Sequence, residues 1–227
     1  MPLSLLYGLL LALFGLPLLQ LAFNKLGVDA LSPAIRICLW LLCLGVLVIA
    51  AHGSASWIAQ LNLHQPSAKA FVGAGIATVI VLAAWPIIQR AQLSLASTPI
   101  AHTAQFRKIL GLSVSHRLFI AITAGVVEEV LYRGYAIGIG GVILGSQWLA
   151  ASLSLAVFVG AHFRWGLSHL LSVFWAGLVL CALFIFTQDL IACIVAHTAI
   201  DVVGILIAPA ILAKREARRL NALQRDD

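Results

Sequence analysis

The chain has 227 residues, of which 62% are hydrophobic and 10% charged, against about 45–50% and about 25% in an ordinary soluble domain. A formal charge of +6 raises the possibility of a nucleic-acid binder, but the basic residues form no stripe interleaved with aromatics. They sit instead at the ends of apolar runs and in the C-terminal tail, the distribution that sets membrane topology.

Seven apolar runs are expected to cross the bilayer as helices: Leu3 to Phe23, Pro33 to Ala51, Ala70 to Ile88, Leu118 to Ile139, Trp148 to Phe163, Leu167 to Thr187 and Leu190 to Ala213. Each approaches the roughly 20 residues that a bilayer core of about 30 Å requires, and lipid forces each to satisfy its own backbone hydrogen bonds. The fold class is therefore all-α, a polytopic membrane bundle of about seven helices. The first run has no basic region before it and is long enough to be retained as a span rather than read as a signal. Pro33 and Pro66 precede or open spans, Pro86 is expected to kink the third, and the polar stretch from Gln89 to Arg117 has room for an amphipathic surface helix. Cys38, Cys43, Cys181 and Cys193 lie inside apolar runs and read as small hydrophobes rather than as a disulfide or metal set.

With the tail in the cytoplasm and the N-terminus outside, twelve of the fourteen Lys/Arg residues fall on the cytoplasmic side, leaving Lys69 outside and Arg133 within a span. That agreement supports seven spans over eight. The expected location is a bacterial inner or plasma membrane. The chain divides into spans one to three with their connection (1–113), a membrane core carrying the chemistry (114–213) and a basic tail (214–227).

Ionisable groups inside spans are few: Glu128, Glu129 and Arg133 in the fourth, His162 ending the fifth, His169 opening the sixth, and His197 and Asp201 in the seventh. Each charged one costs about 2.5–3.5 kcal/mol at mid-span on insertion scales, so they are expected to face the interior and pair there. In Glu128-Glu129-Val130-Leu131-Tyr132-Arg133, Glu129 and Arg133 stand at i and i+4 and favour an ion pair. Glu128, turned by about 100°, is left for proton transfer. Phe158 precedes His162 by one turn, and His197 and Asp201 share a helix face. Such pairs can bind a metal, orient a water or stabilise an oxyanion; they can also serve only to lock helices together.

These patterns, EExxxR, FxxxH and HxxxD in this order over Thr123 to Gly204, resemble the CPBP family, the CAAX-protease and bacteriocin-processing enzymes also called the ABI family. The resemblance implies an intramembrane endopeptidase in which Glu128 activates water with help from His162, while His197 and Asp201 complete the site and Glu129 and Arg133 support it. Many members carry Asn where this chain has Asp201, and the added charge would favour a cation, so His162, His197 and Asp201 are a candidate set for a divalent metal such as zinc. The implied partners are a peptide or protein substrate near the cytoplasmic face and the lipid bilayer, with no nucleic acid.

No HExxH, serine elbow or GxGD aspartate is present, which disfavours other intramembrane protease chemistries. A proton-coupled transporter and an inactive scaffold of the same family are the rival readings. A carrier should show broken helices in repeated halves, whereas the ionisable residues here occupy only the later spans.

His169 is a possible spare ligand. Gly134/Gly138, Gly141/Gly145 and Ala156/Gly160 are read as close-packing pairs, and Trp148, Trp165 and Trp175 as anchors or packing. Glu128, about 16 Å down its span, and His162, at the end of a short one, disagree in depth. The fifth helix is therefore expected to stop inside the membrane, with Arg164 and Trp165 in a re-entrant connection facing a wet cavity.

Overall fold

A computed structural model describes residues 2–29, 31–65, 67–95 and 108–210. The basic tail, and the middle of the stretch expected to hold a surface helix, lie outside them. Among the described residues every regular element is helical. Helix α1 (Leu3–Lys25) and helix α2 (Pro33–Gly53) form an antiparallel pair, followed by a short turn of helix, α3 (Trp57–Gln60). The third predicted span is kinked, as expected: α4 (Ala68–Ala83) bends at Ala84 into α5 (Trp85–Leu95). Pro86, which has no N–H to give the preceding turn, stands at the kink.

Helix α6 (Val114–Glu129) continues as a π-helical stretch, Val130–Ile139, and then as α7 (Gly140–Leu144). The expected α-helix over 118–139 is thus wider-wound in its second half, a distinction that apolar periodicity does not carry. Tertiary contacts account for it. The Ser154 hydroxyl donates to the Tyr132 carbonyl at 2.6 Å, the Tyr135 hydroxyl donates to the Leu5 carbonyl at 3.1 Å, and Gly138 lies against the Gln60 carbonyl so closely that a Cβ would collide with it. π-Helical stretches concentrate at functional sites.

Helix α8 (Gln147–Ala161) is followed by a 3₁₀ turn, Phe163–Trp165, and by Gly166, whose φ of +96° reverses the chain. Glycine suits that left-handed backbone because it has no Cβ to strain. Helix α9 (Leu167–Thr187) has the bounds expected for the sixth span, and α10 (Leu190–Val202) extends as a π stretch, Val203–Ile207. Asp189 accepts the Ala192 N–H and caps α10.

Among the described residues five helices are long and apolar enough to cross a bilayer: Leu3–Lys25, Pro33–Gly53, Ala68–Gln92, His169–Thr187 and Leu190–Ala210. The other two predicted spans are the charged α6 segment and the 15-residue Gln147–Ala161. The chain is accordingly a multi-pass integral membrane bundle. Its apolar exterior, including Leu10, Leu41, Val79 and Phe186, is exposed, as a lipid-facing surface requires. The buried core unites α1 and α2 with the later helices in one cluster. Cys43, Cys181 and Cys193 are buried free thiols and Cys38 is half-buried.

Candidate active site

Glu129 and Arg133 are both fully buried, and Arg133 Nη1 donates to Glu129 Oε1 at 2.7 Å. Their i, i+4 spacing spans the junction where α6 becomes π-helical without losing the pair. Arg133 Nη2 also donates to the Gly177 carbonyl on α9 at 3.2 Å, and its guanidinium lies 4.5 Å from the centre of the Phe158 ring. The cation is thus held by a carboxylate, a carbonyl and an aromatic face, and the brace joins three helices.

The same Glu129 oxygen accepts from His197 Nδ1 on α10 at 2.6 Å. This contact links residues 68 apart and was not visible in the sequence. The local partner expected for His197 is farther away, with Asp201 Oδ2 3.8 Å from Nε2. Because a carboxylate can only accept, His197 carries a proton on Nδ1, and its Nε2 edge is turned toward Asp201.

Glu128 Oε2 lies 4.0 Å from His162 Nε2, and the two side chains are 13% and 17% exposed. His162 Nδ1 lies 2.8 Å from the Phe158 carbonyl, an acceptor, so Nδ1 is protonated and Nε2 faces Glu128. The disagreement in depth is resolved by helix lengths. Glu128 is fourteen residues into α6, about 21 Å, yet it meets the residue that caps α8, so α8 ends well short of the level at which α6 begins. Arg164 Nη2, in the turn that follows, donates to Asn24 Oδ1 near the end of α1 at 2.7 Å.

Two close approaches make this assembly possible. Gly125 on α6 faces Thr198 on α10, where a Cβ would overlap the Thr198 hydroxyl and stand 2.9 Å from the Thr198 nitrogen and 3.0 Å from its Cα. Gly177 on α9 faces Leu155 and Phe158, with a Cβ at 2.8 Å and 3.1 Å from their side chains. Trp40 Nε1 on α2 donates to Thr123 Oγ1 at 3.2 Å and ties α2 to α6 near the site. Phe158 is the hub: its ring centre is 5.3 Å from that of Tyr132, 4.9 Å from His162 and 6.3 Å from His197.

Glu128, Glu129, Arg133, His162, His197 and Asp201 therefore gather in one place, as two linked sets around Phe158. The candidate metal set fits less well: among the described residues no three His, Cys, Asp or Glu side chains are arranged to hold an ion. Nδ1 of both histidines is already committed to an oxygen of the protein. His169 stacks near Trp165 at 5.6 Å and joins no donor cluster.

Fold and site define a class: a multi-pass helical membrane protein with a buried carboxylate–histidine centre in its later helices. Residues 111–203 match the family model described as Rce1-like, type II CAAX prenyl endopeptidase Rce1-like. The match covers 93 of the 227 residues and agrees with the CPBP intramembrane-protease resemblance of the motifs; the family that the model describes is one of endopeptidases. No curated protein and no solved structure matches the chain.

Proposed function

We propose that this protein is an intramembrane endopeptidase that hydrolyses a peptide bond of a membrane-associated substrate with a water activated by Glu128. The observation that carries the reading is the unbonded 4.0 Å gap between Glu128 Oε2 and His162 Nε2. Two facing acceptors at that spacing can share one water, which donates one hydrogen to each. The water oxygen then attacks the scissile carbonyl as its proton passes to Glu128. When the C–N bond breaks, Glu128 returns that proton to the leaving amine.

The charge that develops on the carbonyl oxygen needs donors placed beforehand. His197, held by Glu129 through Nδ1, presents Nε2 for this purpose in its doubly protonated form, with Glu129 and Asp201 balancing its charge. Arg133 fixes Glu129 in place through the 2.7 Å contact. No step is routed through a metal, because the donors do not converge on one.

The substrate class that suits the family is a C-terminal Cys-aliphatic-aliphatic-X box, a lipidated terminus that lies at a membrane surface. The distribution of Lys and Arg at the ends of the spans supports cleavage on the cytoplasmic side.

The deciding experiment compares purified wild type and Glu128→Ala in detergent, matched for thermal melt. Prenylated and unprenylated C-terminal-box peptides are supplied, and products are read by mass spectrometry. Cleavage by wild type alone supports the proposal, and equal cleavage by the variant removes Glu128 as the base. Metal analysis of wild type and Asp201→Asn, with chelation, tests the metal-free chemistry. Activity without metal supports it, and bound zinc lost on substitution overturns it.

A further inference from the structure

Directly beneath the Glu128–His162 pair lies an aromatic floor. Tyr132 is one turn deeper than Glu128 on its helix, Phe158 is one turn deeper than His162 on α8, and the two rings meet edge to face at 5.3 Å. Tyr132 is fully buried, and its hydroxyl has no hydrogen-bond partner among the described residues. A buried, unpaired hydroxyl forgoes water without compensation, at a cost that cores ordinarily avoid. Phenylalanine would fill the same floor without it.

One turn above, the Glu128 carboxylate is mostly buried, and His162 stands 4.0 Å from it, beyond hydrogen-bond reach. The site therefore holds an unpaired donor and, four residues before it on the same helix, a carboxylate that is not hydrogen-bonded to His162. Hydrogen bonds of catalytic groups are often long or open in the free enzyme and close in the substrate complex.

We infer that Tyr132 is a positioning residue for Glu128: as substrate closes the site, the Tyr132 hydroxyl donates to the Glu128 carboxylate from below and holds its other oxygen toward the water shared with His162. This rests on the reading of Glu128 as the base. The hydroxyl does not touch the reacting atoms. It fixes which carboxylate oxygen faces the water, so its effect falls on turnover more than on substrate binding.

Tyr132→Phe removes the hydroxyl and keeps the ring. If the hydroxyl were only an unpaired buried group, its loss would leave the melt and the kinetics unchanged or would raise the melt. The positioning role predicts an unchanged or raised melt together with a fall in kcat of about ten-fold or more, KM staying within about two-fold. A kcat within about two-fold of wild type, in an enzyme whose cleavage depends on Glu128, overturns the inference while leaving the proposed function standing.

A readout independent of cleavage is the antisymmetric carboxylate stretch of Glu128 in the infrared, recorded with a bound non-cleavable peptide and identified by its loss in Glu128→Gln. Tyr132→Phe is expected to shift this band, and an unshifted band overturns the inference even if no substrate is ever cleaved. Should Tyr132→Phe fail to fold, difluorotyrosine at position 132 keeps ring and hydroxyl but strengthens the donor. A shifted band then supports the inference and a constant one overturns it.

Discussion

Gly125→Ala adds one methyl group at the tightest crossing in the site. The new Cβ would stand 2.9 Å from the Thr198 nitrogen and 3.0 Å from its Cα, where ordinary contact is about 3.5 Å, so α10 must retreat by about 0.6 Å. Thr198 follows His197 in the chain, and the retreat carries the imidazole with it. The 2.6 Å bond from His197 to Glu129 would lengthen to about 3.2 Å, the edge of a useful hydrogen bond.

Overpacking of this kind costs about 1–3 kcal/mol, a fall in melting temperature of about 2–12 °C for a chain of this size. Misplacement of a catalytic group by 1 Å can cost about 100-fold in rate, so a loss of about ten-fold in kcat is expected. Thermal melts in detergent and peptide cleavage measure the two effects separately. Thr198→Ala in the Gly125→Ala background removes the hydroxyl contact but not the backbone ones, and should restore part of the melt and little of the activity. A Gly125→Ala protein with wild-type melt and kcat would show that the crossing of α6 and α10 does not set the position of His197.

Arg133→Met leaves buried Glu129 with His197 as its one remaining partner among the described contacts, a loss expected to cost about 3–5 kcal/mol. It should greatly reduce the monodisperse fraction on size exclusion, and normal recovery would refute the brace. Ser154→Ala leaves the Tyr132 carbonyl without its donor and should destabilise by about 1–3 kcal/mol, read as a lower melt with faster hydrogen exchange across 130–139. The loop between α1 and α2 is held from outside the spans: Asp29 accepts from the Leu31 N–H and from Lys108 at 3.1 Å, and these contacts, the backbone one first, hold its carboxyl below the usual range. A depressed folded value means that this contribution is present above the ordinary carboxylate pKa and is lost as pH falls through the lowered one. Hydrogen exchange around residues 108–112 should therefore speed up only on strong acidification, and a change already complete near neutral pH would contradict the contact.

What the sequence determined by itself is local or solvent-driven. Bilayer crossing follows from apolar runs because lipid offers no partners to an open backbone, and α9 from Leu167 to Thr187 was legible to the residue. The Glu129–Arg133 pair was legible because i and i+4 meet on one helix face, and the contact persists although the π-helical stretch begins at Val130, between the two residues. Expensive ionisable groups marked the site residues as interior, and family motifs suggested their roles.

Only the tertiary structure decided how these groups meet. The His197–Glu129 bond, the guanidinium of Arg133 on Phe158 and the Tyr132–Phe158 floor join separate helices, and no periodicity within one helix encodes the distance to another. Gly125 and Gly177 read in the sequence as ordinary small residues of a span. Their importance lies in the side chains packed against them, which exist only once the helices have crossed.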